Sequence, residues 1–160
     1  MAGSQSGVVP SRPVRSPDEL RVLFRARGLK ITPQRQCIFR VLHGNVGHPT
    51  AETVYEAAAR ELPSLSLKTV YQTLHELADL GEVALLDLGT GATRVDPNHD
   101  AAHHHLVCEG CGKVRDLTLE LPAFDVPEAA RQGFAVIGGA EVIFRGRCDA
   151  CADPATFPTN

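Results

Sequence analysis

The 160-residue chain contains no apolar run that approaches membrane-spanning length. A helix needs about 20 consecutive apolar residues to cross a bilayer, so a membrane span is excluded. The first fifteen residues, MAGSQSGVVPSRPVR, lack the apolar stretch of a signal peptide. The expectation is a cytoplasmic protein with no membrane partner. In that compartment its five cysteines stay reduced, and they read better as ligands than as cystines. Length and the 43% hydrophobic content suit one ordinary domain or two small ones, able to bury a core without disulfide staples. Strong net charge is also missing, at −3, but the small total hides an asymmetry. Residues 1–70 carry ten Lys/Arg against five Asp/Glu, and residues 71–160 carry six against fourteen. A basic front half suits a polyanion and an acidic back half suits cations.

The punctuation along the chain divides at the same place. Residues 1–15, rich in Ser, Gly and Pro, read as a flexible arm, plain disorder being the first reading and a phosphate contact through Arg12 and Arg15 the alternative. Ser16-Pro17-Asp18-Glu19 opens a first helix with a capping hydroxyl, a proline and two acids near the positive end of the helix dipole. Leu20, Leu23 and Phe24 form its apolar face, and Gly28 ends it. Thr32-Pro33 opens a second helix with Cys37, Ile38, Val41 and Leu42 inward. Thr50 caps a third, running to about Leu62. Ser66 caps a fourth, LKTVYQTLHELADL, which stops at Gly81. VALLDL, the turn Gly89-Thr90-Gly91 and ATRV then read as a hairpin. Helices followed by a hairpin describe a winged helix-turn-helix over 16–95, whose fourth helix enters the major groove of double-stranded DNA. From Asp96 the texture changes to short β-rich stretches (HLVC, KVRDLTL, FAVIG, EVIFRG) with one modest helix near Pro127 to Gln132. The fold class expected is α+β, with a second, α/β module over 96–152 and a tail over 153–160.

Two cysteine pairs are the firmest chemical signal. Cys108-x-x-Cys111 and Cys148-x-x-Cys151 each follow a strand, and each spacing lets two thiolates bend onto one ion. Together they form a four-sulfur set of the kind that holds structural Zn²⁺. A thioredoxin-like redox pair is disfavoured because there are two matched pairs. The odd thiol, Cys37, sits on an apolar helix face and reads as core. His103 and His105 are two apart on a strand and share a face, while His104 points the other way. Asp116 follows the first cysteine pair on the strand returning beside these histidines, so it can close a second site, which Asp96 and His48 could complete. Imidazoles and carboxylates suit a borderline-to-hard divalent ion such as Fe²⁺, Mn²⁺ or Zn²⁺.

ITPQR (31–35), HPTAETVYEAA (48–58), SLKTVYQTLHELADLGEV (66–83), HHHLVCEGCGKVRD (103–116) and EVIFRGRCDAC (141–151) resemble the Fur, or ferric uptake regulator, family of metal-dependent repressors. The likeness runs from about residue 17 to 152. It implies an N-terminal winged helix, a C-terminal α/β dimerisation domain, structural zinc on the four cysteines and a regulatory metal. The family's sensory ligands fall on His48, Asp96, His103, His105 and Asp116. Its DNA contacts fall on Lys30, Tyr71 and Gln72, with Lys68 and Thr69 beside them on the fourth helix; the position of Gln72 is commonly arginine. The partners implied are a palindromic DNA operator and a second copy of the chain, and no enzymatic activity is implied.

Fur proper and most zinc sensors usually carry Glu where this chain has Asp116, whereas the peroxide-sensing PerR/CatR branch carries Asp; TRVDPN ahead of HHHLVC also resembles that branch. A further family site is incomplete, with Ala123 and Ala140 at its glutamate and distal histidine positions and His104 in place of its acid. The resemblance therefore points first to peroxide sensing, then to iron sensing, then to zinc or nickel sensing. In the peroxide branch Fe²⁺ reacts with H₂O₂, a ligand histidine (His48 or His103 by position) is oxidised, and DNA is released; Mn²⁺ activates binding but resists peroxide. Two readings from other classes compete. A zinc hydrolase using His103 and His105 leaves the helices and hairpin unexplained, and a redox-controlled chaperone leaves the histidines unexplained.

Overall fold

The computed structural model describes residues 14–45, 47–97, 103–119, 127, 130–135 and 142–152. These fall into two compact units, which divide between residues 102 and 103. The first unit holds four helices and a two-stranded hairpin. Helix α1 (Pro17–Ala26) opens with a full capping box, in which the Ser16 hydroxyl accepts from the Glu19 amide and the Glu19 carboxylate accepts from the Ser16 amide. Helices α2 (Pro33–Leu42), α3 (Ala51–Glu61) and α4 (Leu67–Asp79) start on Thr32, Thr50 and Ser66, each accepting from an amide three residues on. Gly28 and Gly81, just past the ends of α1 and α4, both take φ +70°, a left-handed turn that only glycine enters without penalty.

The core of this unit lies where the four helices meet. Leu20, Phe24, Ile38, Phe39, Val54, Val70, Leu74 and Leu77 are completely buried there. Phe24 and Phe39 pack edge to face with ring centroids 4.8 Å apart. The hairpin pairs β1 (Ala84–Asp87) with β2 (Thr93–Asp96), in register from Ala84↔Asp96 to Asp87↔Thr93. It is joined to the lead-in of α3 by the Val95 amide, which donates to the Pro49 carbonyl at 2.9 Å, and by a bridge between Thr50 and Arg94. The winged helix read from the sequence is present.

The second unit is a three-stranded sheet in the order β4-β3-β5, built from β3 (His104–Cys108), β4 (Val114–Leu117) and β5 (Ile143–Gly146). Strand β3 runs antiparallel to β4 and parallel to β5. No helix of the described residues is long and apolar enough to cross a membrane.

Two boundaries differ from the sequence reading. Val14 and Arg15, read as the end of the arm, belong to the first unit: Val14 is buried, and the Arg15 guanidinium pairs with the buried carboxylate of Glu82. Arg15 is thus held by an acid of its own chain. Asp96, read as the start of the second module, closes β2 of the hairpin. Around Pro127, where one modest helix was expected, the Ala130 amide donates to the Pro127 carbonyl in a 3-10 turn and the Phe134 amide to Arg131; residues 128 and 129 lie outside the described residues. Residues 1–13, the middle of the linker (98–102), most of FAVIG (136–138) and the tail (153–160) lie outside the described residues.

Phe39 was not among the inward residues read from the sequence, yet it is one of the largest buried side chains. Phe39→Ala is expected to cost about 3–5 kcal/mol of unfolding free energy, the usual range for deleting a buried ring. Both tyrosines, Tyr55 and Tyr71, lie in this unit, so urea denaturation followed by tyrosine fluorescence measures the loss directly. A cost below about 1 kcal/mol would mean the helices do not close around this ring.

Candidate metal centres and nucleic-acid interface

The four paired cysteines converge. Cys108 ends β3, and the following turn is closed by the Gly112 amide on the Cys108 carbonyl and by the Cys108 amide on the Lys113 carbonyl, both at 2.8 Å. Cys148 and Cys151 sit on a second turn just after β5, where the Cys151 and Ala152 amides both donate to the Cys148 carbonyl. The Glu109 amide donates to the Gly146 carbonyl at 2.7 Å and ties the two turns together. All four thiols are free, and their sulfurs lie within 4.8 Å of one another. Cys111 Sγ and Cys148 Sγ are 3.7 Å apart. Sulfurs bound tetrahedrally at the usual Zn–S distance would be separated by about 3.8 Å, so the set fits a zinc ion.

The backbone also favours thiolate here. The Cys148 amide donates to Cys108 Sγ at 3.3 Å. That contact, helped by the amides of Cys111 and Gly110, pulls the Cys108 thiol down to about 6. Cys151 is pushed up to about 12, chiefly by hydrogen bonding to the sulfurs of Cys111 and Cys148. Opposite shifts within one cluster are what neighbouring thiols sharing a single proton show. Cys37 is buried in the first unit, 3.4 Å from the Ala58 carbonyl and 3.6 Å from the Glu61 carboxylate, and burial raises its thiol. It is a core residue, as its helical position suggested.

The histidine and aspartate positions fall on both units. In the first, His48 and Asp96 are buried, at 1% and 2% exposure, with His48 Nε2 3.4 Å from Asp96 Oδ1. In the second, β3 and β4 pair His105 directly with Asp116. His103, one residue before β3, shares the face of His105: the ring centroids are 4.7 Å apart and the two Nε2 atoms 3.1 Å apart. His103 Nε2 lies 3.9 Å from Asp116 Oδ1. Adjacent ligands at right angles around a metal with bonds of about 2.1 Å are separated by roughly 3 Å, so this donor set also fits a divalent ion. His104 points away, towards the Phe144 ring at 6.4 Å, as strand alternation requires. Ala123 and Ala140 lie outside the described residues.

On α4, Val70, Thr73, Leu74 and Leu77 face the core. Lys68, Gln72, His75 and Asp79 are exposed along the opposite side, at helical spacing. Thr69 is half-buried and caps locally, its hydroxyl 2.8 Å from that of Ser66. Gln72 reaches the Glu76 carboxylate at 3.3 Å. Lys30 is exposed in the loop between α1 and α2. Tyr71 is half-buried, and its hydroxyl donates to Glu52 on α3 at 2.8 Å. Sequence reading missed this partner, as it missed the Arg35–Glu76 pair, 2.6 Å long, that joins α2 to α4. Both link residues far apart in the chain, and no local pattern signals them.

A winged helix followed by a small sheet that carries two sets of metal-ligand side chains defines a metal-regulated DNA-binding protein. The sequence model of the ferric uptake regulator family matches residues 26–137, and the chain belongs to that family. It is 39% identical over 110 residues to the peroxide-responsive repressor PerR of Staphylococcus epidermidis, covering 68% of this chain and 71% of that one. Against PerR of Staphylococcus aureus it is 42% identical over 94 residues, 58% of this chain and 62% of that protein, so it spans less than two thirds of that relative. The structure of the Helicobacter pylori ferric uptake regulator superposes with a TM-score of 0.66 over 91% of this chain and 99% of that one, at 19% identity, a likeness of fold. The family's regulators are metal-dependent transcriptional repressors that bind DNA and act as dimers.

The Tyr71–Glu52 contact yields a direct test. The carboxylate holds the phenol above its ordinary value of 10, first through the hydrogen bond and then through burial, while the phenol holds Glu52 below the usual carboxylate range. In Glu52→Gln the phenol should ionise at lower pH, read as absorbance near the tyrosinate band. The contribution of Glu52 to stability, present above its unfolded value and lost as pH falls through its lower folded one, should disappear with it. An unchanged tyrosine titration would show that the contact does not persist in solution.

Proposed function

We propose that this repressor senses peroxide. On this reading Cys108, Cys111, Cys148 and Cys151 hold a structural Zn²⁺, and His48, Asp96, His103, His105 and Asp116 hold a regulatory Fe²⁺ or Mn²⁺. The single observation that carries the reading is Asp116, paired with His105 and beside His103, where iron sensors of the family usually have glutamate. The match to peroxide-responsive repressors at about 40% identity supports it. So does the chemistry of the donors: four sulfurs suit a closed zinc site, while nitrogens and oxygens suit an exchangeable divalent ion.

The residues act as follows. His48 and Asp96 come from the DNA-binding unit and His103, His105 and Asp116 from the other, so shared occupancy favours the DNA-binding form of a homodimer. Lys30 and Lys68 neutralise phosphates, and Thr69, Tyr71 and Gln72 at the start of α4 read a palindromic operator. Fe²⁺ held by these residues would supply the reductive cleavage of H₂O₂. The net change on the protein is one oxygen added to the His48 or His103 ring, with water released. An oxidised ring is a poorer ligand, so the ion favours the bound form less. Moving such an equilibrium from 1:99 to 99:1 takes about 5.5 kcal/mol of differential affinity, and losing one ligand removes part of it.

Two experiments test these assignments. Micromolar H₂O₂ should add 16 Da to a peptide containing His48 or His103 in the Fe²⁺ protein and leave the Mn²⁺ protein unmodified, with DNA release tracking the oxidised fraction. Asp116→Glu should keep metal-dependent DNA binding and lose most of the oxidation. Release with intact histidines and oxidised cysteines would overturn the histidine mechanism. If peroxide has no effect while iron depletion alone releases DNA, the protein is an iron sensor.

For the zinc, Cys148→Ser should lose one metal per chain and unfold or monomerise the C-terminal unit, because the binding energy of a structural site is also folding energy. A folded, zinc-free dimer would remove the structural assignment.

A further inference from the structure

His48 stands in an unusual backbone conformation for a side chain with a Cβ. Its φ is +50°, one of two non-glycine residues described in the left-handed region. Such a conformation persists where surrounding contacts over-determine it, and here those contacts come from β2. The Arg94 guanidinium, half-buried, donates to the His48 carbonyl at 2.9 Å. The Val95 amide donates to the carbonyl of the next residue, Pro49, at 2.9 Å, and Thr50 bridges to Arg94 itself. Asp96, two residues beyond Arg94 on the same face of the strand, meets the His48 imidazole at 3.4 Å. One strand thus holds His48 at both ends, the carbonyl through Arg94 and the ring through Asp96. Val95, between them, points into the core.

We propose that Arg94 is a positioning residue for His48 and that it makes the β1–β2 hairpin part of the metal-responsive element. The proposal rests on the reading of His48 and Asp96 as ligands of the regulatory ion. Arg94 fixes the carbonyl, and with it the left-handed turn that aims the imidazole at Asp96. The ligand pair and the wing therefore move as one body, and whatever stiffens the pair stiffens the wing. Metal occupancy is then felt at the wing as well as at the recognition helix.

The test uses the purified full chain, with Mn²⁺ as probe, titrated by the electron paramagnetic resonance of the free ion. Arg94→Gln should weaken Mn²⁺ binding by about tenfold or more, the usual effect of removing a group that orients a ligand, and leave the zinc content unchanged. Arg94→Lys, whose ammonium can still reach the carbonyl, should recover most of the affinity. In the metal-free protein the Val95 amide should exchange faster in Arg94→Gln than in wild type. In wild type, Mn²⁺ should slow exchange of the β1–β2 amides; in Arg94→Gln, at saturating Mn²⁺, it should not. Wild-type Mn²⁺ affinity in Arg94→Gln, or affinity in Arg94→Lys as poor as in the glutamine variant, would overturn the proposal. His48→Ala separates the two layers. If it too keeps wild-type affinity, the ligand reading falls and the proposal with it; if it loses affinity while Arg94→Gln keeps it, the Arg94 proposal alone falls.

Discussion

An imidazole and a carboxylate held 3.4 Å apart and almost wholly out of water, His48 and Asp96, set a demanding condition on the first unit. Each buried ionisable group costs several kcal/mol in lost hydration unless a partner of opposite character is fixed beside it. The two residues are far apart in sequence, one ahead of α3 and the other at the end of β2. Pairing them requires the hairpin to dock on the lead-in of α3, and the Val95–Pro49 and Thr50–Arg94 contacts accomplish that docking. Thr50 serves twice, capping α3 with its side chain and bridging to the hairpin with its backbone. The same few residues that start the third helix therefore decide where the wing lies, and the wing decides whether the buried pair is satisfied.

The second unit meets a related condition through register. Strand side chains alternate, so a slip of one residue between β3 and β4 would carry Asp116 to the face opposite His105. The turn between these strands is built around Cys108 and Cys111 and closed by the Gly112 and Cys108 amides. Its length sets Val107 against Val114 and, two residues further from the turn, His105 against Asp116. Gathering the sulfurs thus also places the histidine and aspartate donors. On the proposed assignment, zinc at the four cysteines would secure a register on which the second metal depends, although no ligand is shared.

Legibility followed the range of the interaction. Ser16, Thr32, Thr50 and Ser66 each act within three residues, so the four helix starts could be read from the chain alone. The cysteine pairs and the His105–Asp116 pairing were legible because a short turn between two strands leaves few geometries. Phe39 was missed because a narrow helical stripe predicts 37, 38, 41 and 42, whereas α2 buries 39 along with 37, 38 and 42 and leaves Val41 half-buried. Asp96 was put on the wrong side of a boundary because Pro97 and the polar linker change the local composition just there, while strand pairing with Ala84 is invisible in composition. Arg94 with His48, Glu52 with Tyr71 and Arg15 with Glu82 are contacts between distant segments, which only the fold brings together.

On the proposed reading, two donor sets of different softness in one small chain also divide the work between holding and responding. Thiolates bind zinc tightly and leave no open position when four of them surround it, which suits permanence and is ill suited to sensing. Imidazoles and carboxylates bind first-row divalent ions less selectively, so occupancy can follow supply. An ion changes the protein's state only through a difference in affinity between two forms. That difference must be carried by residues whose positions differ between the forms. His48 is well placed for this on the proposed reading, because its left-handed backbone and its link to Arg94 tie it to the wing. A ligand on a regular helix would be held by the helix whatever the wing did; a ligand held by the wing itself cannot be displaced without moving a DNA-binding element.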